Sequence, residues 1–353
     1  MNSPTQTQVL ENEGTHQKIF ENNVKNFQNQ KQEITQFNEP KKSHLNEKEL
    51  DYLKKNLIQF YMKKEDISNI LLYGRNVFSY LKSKEKDSFI PKNYLSQDHI
   101  ISSVVRMKMV DWMLEIIKAF ELDDDTFILS VNIMDYYIAN EKSIRLKDDD
   151  IHLIGMCCIF LASKIEDIIP LRMSNIVNEI GHRRFSSKTI EAKERHIVKI
   201  LNFNFHKINT IDFVKTLFSD FLITNSEDII KLDGDKYLKK FFKLCIFIGQ
   251  LTLYDEKFYS FLPSIISIGI ISLGFDLMKT NMKQPEIEKK KSLFNYVHDW
   301  ICYLINELKL NSDEVKEIYD DLSASYKKYI LDPVKKSNGN IEDDNLINLY
   351  KYK

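Results

Sequence analysis

Glycine is scarce, nine residues in 353, which leaves little for tight hairpins or for loops that cradle phosphate. Alternation of apolar and polar residues with period two never lasts long enough to build a sheet, so the chain is expected to be all-α. GxGxxG, the Walker loop, His-Glu-x-x-His, His-Arg-Asp and Asp-Phe-Gly are all missing, and the eight His are scattered rather than clustered. Intrinsic catalysis is therefore not expected, and neither a metal nor a cofactor is called for. An excess of positive charge is missing too. Lys and Arg number 50 against 51 Asp and Glu, a formal charge of -1, so no global basic field exists to hold a nucleic acid by phosphate neutralisation.

Cysteine pairs at metal-ligand spacing are also lacking. Cys157, Cys158, Cys245 and Cys302 each lie among apolar residues, as small core side chains of a reduced, intracellular protein do. The opening Met-Asn-Ser-Pro-Thr-Gln has no apolar run behind it, so no secretory signal is expected. The greasiest stretch, 261–278, is interrupted by Pro263, several Ser, two Gly and Asp276. Its unbroken apolar part falls short of the roughly 20 residues a bilayer requires, which makes it a core helix and argues against a membrane partner.

What is present is an ordinary globular balance, 43% hydrophobic and 29% charged, with length for two domains of roughly 100–200 residues each. Residues 1–45, rich in Asn, Gln, Glu, Thr and Lys, are expected to be a disordered tail. Residues 46–100 form an N-terminal helical segment and linker, clearest over 67–82, where Ile70, Leu71, Val77, Phe78, Tyr80 and Leu81 recur and Gly74 weakens the middle. The charged run 82–87 is expected to be a solvated connection, and Ile90-Pro91-Lys92-Asn93 a turn.

From 101 to 206 the pattern predicts five helices, over 101–120, 124–140, 148–165, 171–180 and 187–201. Cap and turn residues separate them: Asp123 to Asp125, Asp148 to Asp150, Pro170, Gly181, and Ser186 or Ser187. The third is apolar almost all round, as the hub of such a unit would be. After a polar joint at 206–210, a second series of five helices is predicted within 207–331: 210–222, 235–253, 262–279, 292–308 and 312–330. Pro333 and an acidic, Asn-rich stretch open a C-terminal tail at 332–353. Two units of similar length suggest a structural repeat, although no residue-level identity links them.

In the first helix Val105, Met109, Trp112, Ile116 and Phe120 mark a face packed on a core. Arg106 lies inside that apolar stretch and requires a partner if buried. Asp135, itself set among apolar residues, is the attractive candidate.

Val105-Arg106-Met107-Lys108-Met109-Val110-Asp111-Trp112-Met113 resembles the Met-Arg-x-x-Leu-x-Asp-Trp signature that opens the cyclin box of A- and B-type cyclins. Phe160-Leu161-Ala162-Ser163-Lys164-Ile165-Glu166-Asp167 is similar to the Leu-Ala-Ser-Lys segment ending the third cyclin helix. Glu194 through Phe203 resembles the Glu-x-x-x-Leu-Lys-x-Leu-x-Phe of the fifth. Upstream, Val77 to Leu81 is similar to the helix preceding the box; downstream, Leu253-Tyr254-Asp255 and Leu262-Pro263-Ser264 resemble the second cyclin fold. The resemblance covers roughly 67–330 in the right order. It implies two consecutive five-helix cyclin folds with a preceding N-terminal helix.

The resemblance further implies a non-catalytic subunit that binds and activates a cyclin-dependent Ser/Thr kinase in cell-cycle control, acting in the nucleus and cytoplasm. Lys164 and Glu194 match the family positions that grip the kinase's C-helix and its flanking backbone, with Ile165, Phe203 and Val77 supplying apolar contact. Ammonium and carboxylate groups suit that task, because each bonds backbone groups more strongly where water is excluded. Arg106 and Asp135 match the family's internal ion pair.

A second family site, a patch docking substrates or inhibitors that carry Arg-x-Leu, matches Val105, Met109, Trp112 and His152. Here Lys108 replaces an apolar residue and His152 a Gln, and a Lys in such a groove would repel the basic end of the ligand. Asp148-Asp149-Asp150 either caps the next helix or reshapes the same groove. No Arg precedes Arg75 and no Lys-Glu-Asn triplet occurs, so no degradation signal can be read from the tail. Lys289-Lys290-Lys291 reads as a solvated turn. The competing readings are a transcriptional cyclin, or a cyclin-fold transcription-factor scaffold, which a zinc ribbon or basic domain would favour and which neither supports here.

Overall fold

The computed structural model describes residues 75–225, 235–280, 282, 284–307 and 312–331. The tails expected at 1–45 and 332–353, and residues 46–74 of the N-terminal segment, lie outside the described residues. Among the described residues the fold is all-α. The one extended pairing there is an isolated parallel bridge between Ile100 and Lys147.

Helix α1 spans Arg75–Lys84, α2 Ser103–Ala119, α3 Asp124–Asn140, α4 Ile151–Glu166 and α5 Ser187–Ile200. Their starts are fixed by side-chain oxygens that satisfy otherwise orphaned backbone N–H groups. Ser102 accepts from Val104 N–H, Asp123 from Asp125 N–H and Ser186 from Thr189 N–H. Helix α4 is buried along almost its whole length and packs against α2, α3 and α5.

The second series is α6 Thr210–Thr224, α7 Asp235–Thr252, α8 Pro263–Thr280, α9 Gln284–Lys289, α10 Lys291–Glu307 and α11 Ser312–Tyr326. Asn209 and Asp212 exchange side-chain and backbone bonds in a capping box at the start of α6. Helix α8 is long and apolar enough to cross a membrane, yet it is the buried hub of this series, packed on α6, α7, α10 and α11. A Cβ at Gly269 would lie 2.5 Å from Ile318 Cγ2, so glycine is what lets α11 close onto α8. All four cysteines are buried and free; burial pushes the Cys157 and Cys302 thiols up to about 12.

Several expectations need correction. The helix expected over 171–180 is largely a π-helical turn, Asn175–Ile180, closed by Gly181 N–H donating to Ile176 O at 2.8 Å. Helix α9 has no signature in the sequence, because its six residues are too few to show a period. Glu85, inside the run expected to be solvated, is 3% exposed and accepts from Ser264 N–H at 3.2 Å, at the start of α8. The deepest face of α2 is Arg106, Val110, Met113, Leu114 and Ile117, each 0% exposed. Val105, Trp112, Ile116 and Phe120 flank that face half-buried. The core face turns through Arg106 because its charge is matched, and a purely apolar pattern cannot contain that residue.

The match is complete on the acid side. Asp135 Oδ1 accepts from Arg106 Nε at 2.8 Å and Tyr94 OH at 2.7 Å, while Oδ2 accepts from Arg106 Nη2 at 2.6 Å and Tyr259 OH at 2.5 Å. Arg106 and Asp135 side chains are both 0% exposed. Burial pushes the Tyr94 and Tyr259 hydroxyls well up, so both remain donors. Burial, the largest influence, works against the Arg106 charge, but the charge and hydrogen bonds of Asp135 together with Tyr94 and Tyr259 outweigh it and the guanidinium stays protonated. Tyr259 belongs to the second series, so the network binds the two halves together. Lys215 to Asp125 at 2.6 Å and Tyr254 OH to Asp111 at 3.2 Å cross the same junction.

Removing the acid strands a buried cation. Asp135→Ala is therefore expected to lower the unfolding free energy by about 3–5 kcal/mol. Tyr259→Phe keeps the ion pair and removes one bond to a charged group, at roughly 1.5–3 kcal/mol. Urea denaturation of both variants checks the order, and an Asp135→Ala loss no larger than that of Tyr259→Phe would contradict it.

Candidate functional site

Lys164 stands in the last turn of α4, where the helix dipole favours a cation. Its ammonium donates to Glu194 Oε1 of α5 at 2.5 Å and lies 3.6 Å from the centroid of the Phe160 ring. Lys164 is 38% exposed and Glu194 18%, so in the free chain the two satisfy each other at the surface. Glu194 is held there by α5, whose Ile190 and Ile197 point into the core.

Large apolar side chains stay exposed in the segments that close and follow α4 and α5. Ile165 is 37% exposed, Ile168 100%, Ile169 81% and Phe203 76%. Exposed large apolar side chains grouped in this way mark interaction surfaces more often than single ones do. Phe203 is turned outward by the backbone: Asn202 and Phe203 take φ of 48° and 58°, and Phe203 N–H donates to Val198 O at 3.2 Å. This is the left-handed close of a helix end. The conformation is strained for a bulky side chain. Sequence reasoning passed over Ile168 and Ile169; the available signal was an apolar pair directly before Pro170, outside any helical period.

Val77, half-buried on α1, joins the same face through a cleft of about 440 Å³ that it lines together with Tyr80, Glu166 and His206. His206 Nδ1 lies 4.0 Å from Glu166 Oε1, which brings the segment after Phe203 against the end of α4. Deeper in the cleft, burial pushes the Asp212 carboxyl up to about 6, even though it accepts from the Asn209 N–H. The structure thus sets Lys164 against Glu194 at the C-terminal end of α4, with Ile165 next in the chain, and brings Val77 to Glu166 and His206 across the cleft, while Phe203 lies exposed three residues before His206.

The other expected patch lies at the opposite end of that helix, roughly 18 Å away along the axis. Trp112 and His152 rings are 4.9 Å apart, and His152 is 5.9 Å from Phe185, a residue the sequence did not single out. Val105, Trp112 and His152 are half-buried and Lys108 is exposed. Met109 lies beneath the patch rather than on it, 5% exposed with its side chain against Gly155. His152 Nδ1 is buried without a partner. Burial first, then the Arg184 and His182 charges, hold its imidazole below the usual range. Among the described residues no group of three or more His, Cys, Asp or Glu could hold a metal ion.

Helix α5 is tied to the rest of the unit by Glu141, which follows α3. The buried carboxylate accepts from Ser143 Oγ at 2.5 Å, Ser143 N–H at 2.7 Å, Ile144 N–H at 3.1 Å and His196 Nε2. His196 lies two residues from Glu194, so this contact helps set where Glu194 stands.

Residues 76–206 match the family model described as "Cyclin, N-terminal domain". Relatives include the G2/mitotic-specific cyclin-B of Dictyostelium discoideum, 25% identical over 264 residues, which cover 73% of this chain and 54% of that protein. The G2/mitotic-specific cyclin-A of Drosophila melanogaster is 23% identical over 265 residues, covering 73% of this chain and 50% of that protein. Among solved structures, a viral cyclin from herpesvirus saimiri aligns with a TM-score of 0.47 and 19% identity, over 69% of this chain and 97% of its own. The chain spans about half the length of the curated relatives it matches. The fold is the all-α cyclin fold. Residues 76–206 form a cyclin N-terminal domain, and the chain is similar to cyclins of the A and B types.

Burial, the largest influence on Glu141, would raise its carboxyl, but the Ser143 and His196 bonds together outweigh it and hold it down at about 2, against 4.5 ordinarily. A carboxylate held low stabilises the fold above pH 4.5 and loses that contribution as pH falls toward 2. Glu141→Gln is expected to flatten the decline of stability across this window and to cost on the order of 3 kcal/mol at neutral pH. Unfolding free energies of both proteins measured from pH 7 to 2 test this; parallel profiles would refute it.

Proposed function

We propose that this chain is a non-catalytic regulatory subunit that binds and activates a cyclin-dependent Ser/Thr protein kinase, in cell-cycle control. The observation that carries the reading is the Lys164–Glu194 pair at the end of α4, together with the exposed Ile165, Ile168 and Ile169 that close and follow α4 and the exposed Phe203 that follows α5. Such a face suits a partner helix. Lys164 is placed to donate to carbonyls at that helix's end, Glu194 to accept from its backbone N–H groups, and the apolar side chains to exclude water from both. The proposed action is to hold the kinase's C-helix inward, so that the kinase assembles its own Lys–Glu pair around ATP.

Turning a mostly inactive kinase into a mostly active one requires about 5.5 kcal/mol of differential binding. Two polar contacts already paired with each other cannot supply that much, so the apolar residues carry most of it and the charged pair sets the register. The names of the A- and B-type relatives favour a mitotic role over a transcriptional one for this chain.

Affinity capture from an extract of the native cells, with the bound fraction assayed for phosphorylation of a histone-type substrate, tests the reading. Wild type is expected to recover an active Ser/Thr kinase, and a folded Lys164→Ala, Glu194→Ala variant to recover far less. Phe203→Ala, at an exposed position, is expected to weaken binding by roughly 1 kcal/mol or more while leaving stability unchanged. Recovery of no kinase by wild type would move a transcription-factor scaffold ahead of this reading.

A further inference from the structure

Seven arginines occur in the chain, and only Arg183 and Arg184 are adjacent. They stand three and two residues before Ser186, in the loop between the π-helical turn and α5. Arg183, Arg184 and Ser186 are all exposed, as are the flanking His182, Ser187 and Lys188. Neither guanidinium has a carboxylate partner among the described residues. Arg183 Nε donates to Asn178 Oδ1 at 3.2 Å, and the Arg184 guanidinium lies 5.5 Å from the centroid of the Phe185 ring.

An uncompensated arginine pair just ahead of an exposed hydroxyl is a recognition handle. Guanidinium forks bind carboxylates in bidentate geometry, so the handle fits a protein-kinase substrate groove lined with acidic side chains. We propose that Ser186 is the phosphoacceptor for an arginine-directed Ser/Thr protein kinase, distinct from the kinase this chain itself activates. Ser186 Oγ attacks the γ-phosphorus of Mg-ATP: the Oγ–P bond forms, the bond from that phosphorus to the bridging oxygen breaks, and ADP leaves. The hydroxyl proton passes to the carboxylate base of the modifying kinase.

The surroundings accept the product. Ser186 Oγ already receives the Thr189 N–H at 3.2 Å, and a phosphate there meets the positive end of α5 together with His182, Arg183, Arg184 and Lys188. It is the arginine pair that selects the residue: Ser187 is equally exposed but lacks two arginines at the same spacing. Phe185, the neighbour of Ser186, stacks toward His152 and through it toward Trp112. Modification would therefore reverse the charge at the rim of that aromatic face, some distance from the Lys164–Glu194 face, and the proposal stands whether or not the kinase-activating reading holds.

The test uses the full chain with the purified catalytic subunit of cyclic-AMP-dependent protein kinase and Mg-ATP, with incorporation mapped by tandem mass spectrometry. Phosphate is expected at Ser186 and not in Ser186→Ala. An Arg183→Ala, Arg184→Ala variant, which keeps the acceptor and its cap, is expected to slow incorporation at least about tenfold, the worth of one charge-assisted hydrogen bond. In an NMR titration the His152 imidazole should move upward after modification, because a phosphate offsets the Arg184 and His182 charges. Preferred labelling of another residue, labelling indifferent to the arginine pair, or no labelling of the folded chain overturns the assignment. An unmoved His152 overturns the link to the aromatic face.

Discussion

A buried carboxylate cannot be left short of donors, and Asp135 obtains four from three other parts of the chain. Tyr94 arrives from the segment before α2, Arg106 from α2 itself, and Tyr259 from the segment before α8. Because the charge is worthless to the fold unless all of them converge, the network acts as a registration point for the whole molecule. It sets α2 against α3, brings the N-terminal linker over both, and seats the second series of helices on the first. Glu85 adds a second clamp of the same kind, taking up the otherwise orphaned, buried N–H of Ser264 near the start of α8.

Helix α4 transmits that order to the surface. It has no solvated side along most of its length, so it cannot rotate without opening the packing of α2, α3 and α5 together. Its two ends consequently present separate faces at a fixed spacing. One end carries Lys164 and Ile165; the other carries His152 against Trp112 and Phe185. Helix α5 runs alongside, anchored by Ile190 and Ile197 and by the His196 contact to Glu141, and so supplies Glu194 at one face and the Ser186 loop at the other.

Much of this is legible in the sequence, for physical reasons that differ by element. The helices of the first unit show through caps and long apolar periods, and Asp123 and Ser186 cap where such residues should. The Arg106–Asp135 pairing could be anticipated because a charge in an apolar run needs a counter-charge. What stayed hidden depends on tertiary placement. Nothing local distinguishes Glu85 from its solvated neighbours, and only the arrival of α8 buries it. Tyr94 and Tyr259 carry no sequence mark as donors. Ile168 and Ile169 look like core residues, and among the described residues no helix covers them.

The apolar face at the end of α4 is costly to a free chain. Ile168 and Ile169 lie in water, and Phe203 is held outward by a left-handed backbone that a glycine would adopt without strain. A sequence optimised only for stability would replace all three. Lys164 and Glu194 are already paired with each other, so a partner gains from them only by exchanging one set of bonds for another, and that exchange is close to neutral. In the proposed complex, affinity would come from covering the isoleucines and Phe203. The charged pair would act there as a filter, since a surface of the wrong polarity would leave one or both charges desolvated and unmatched.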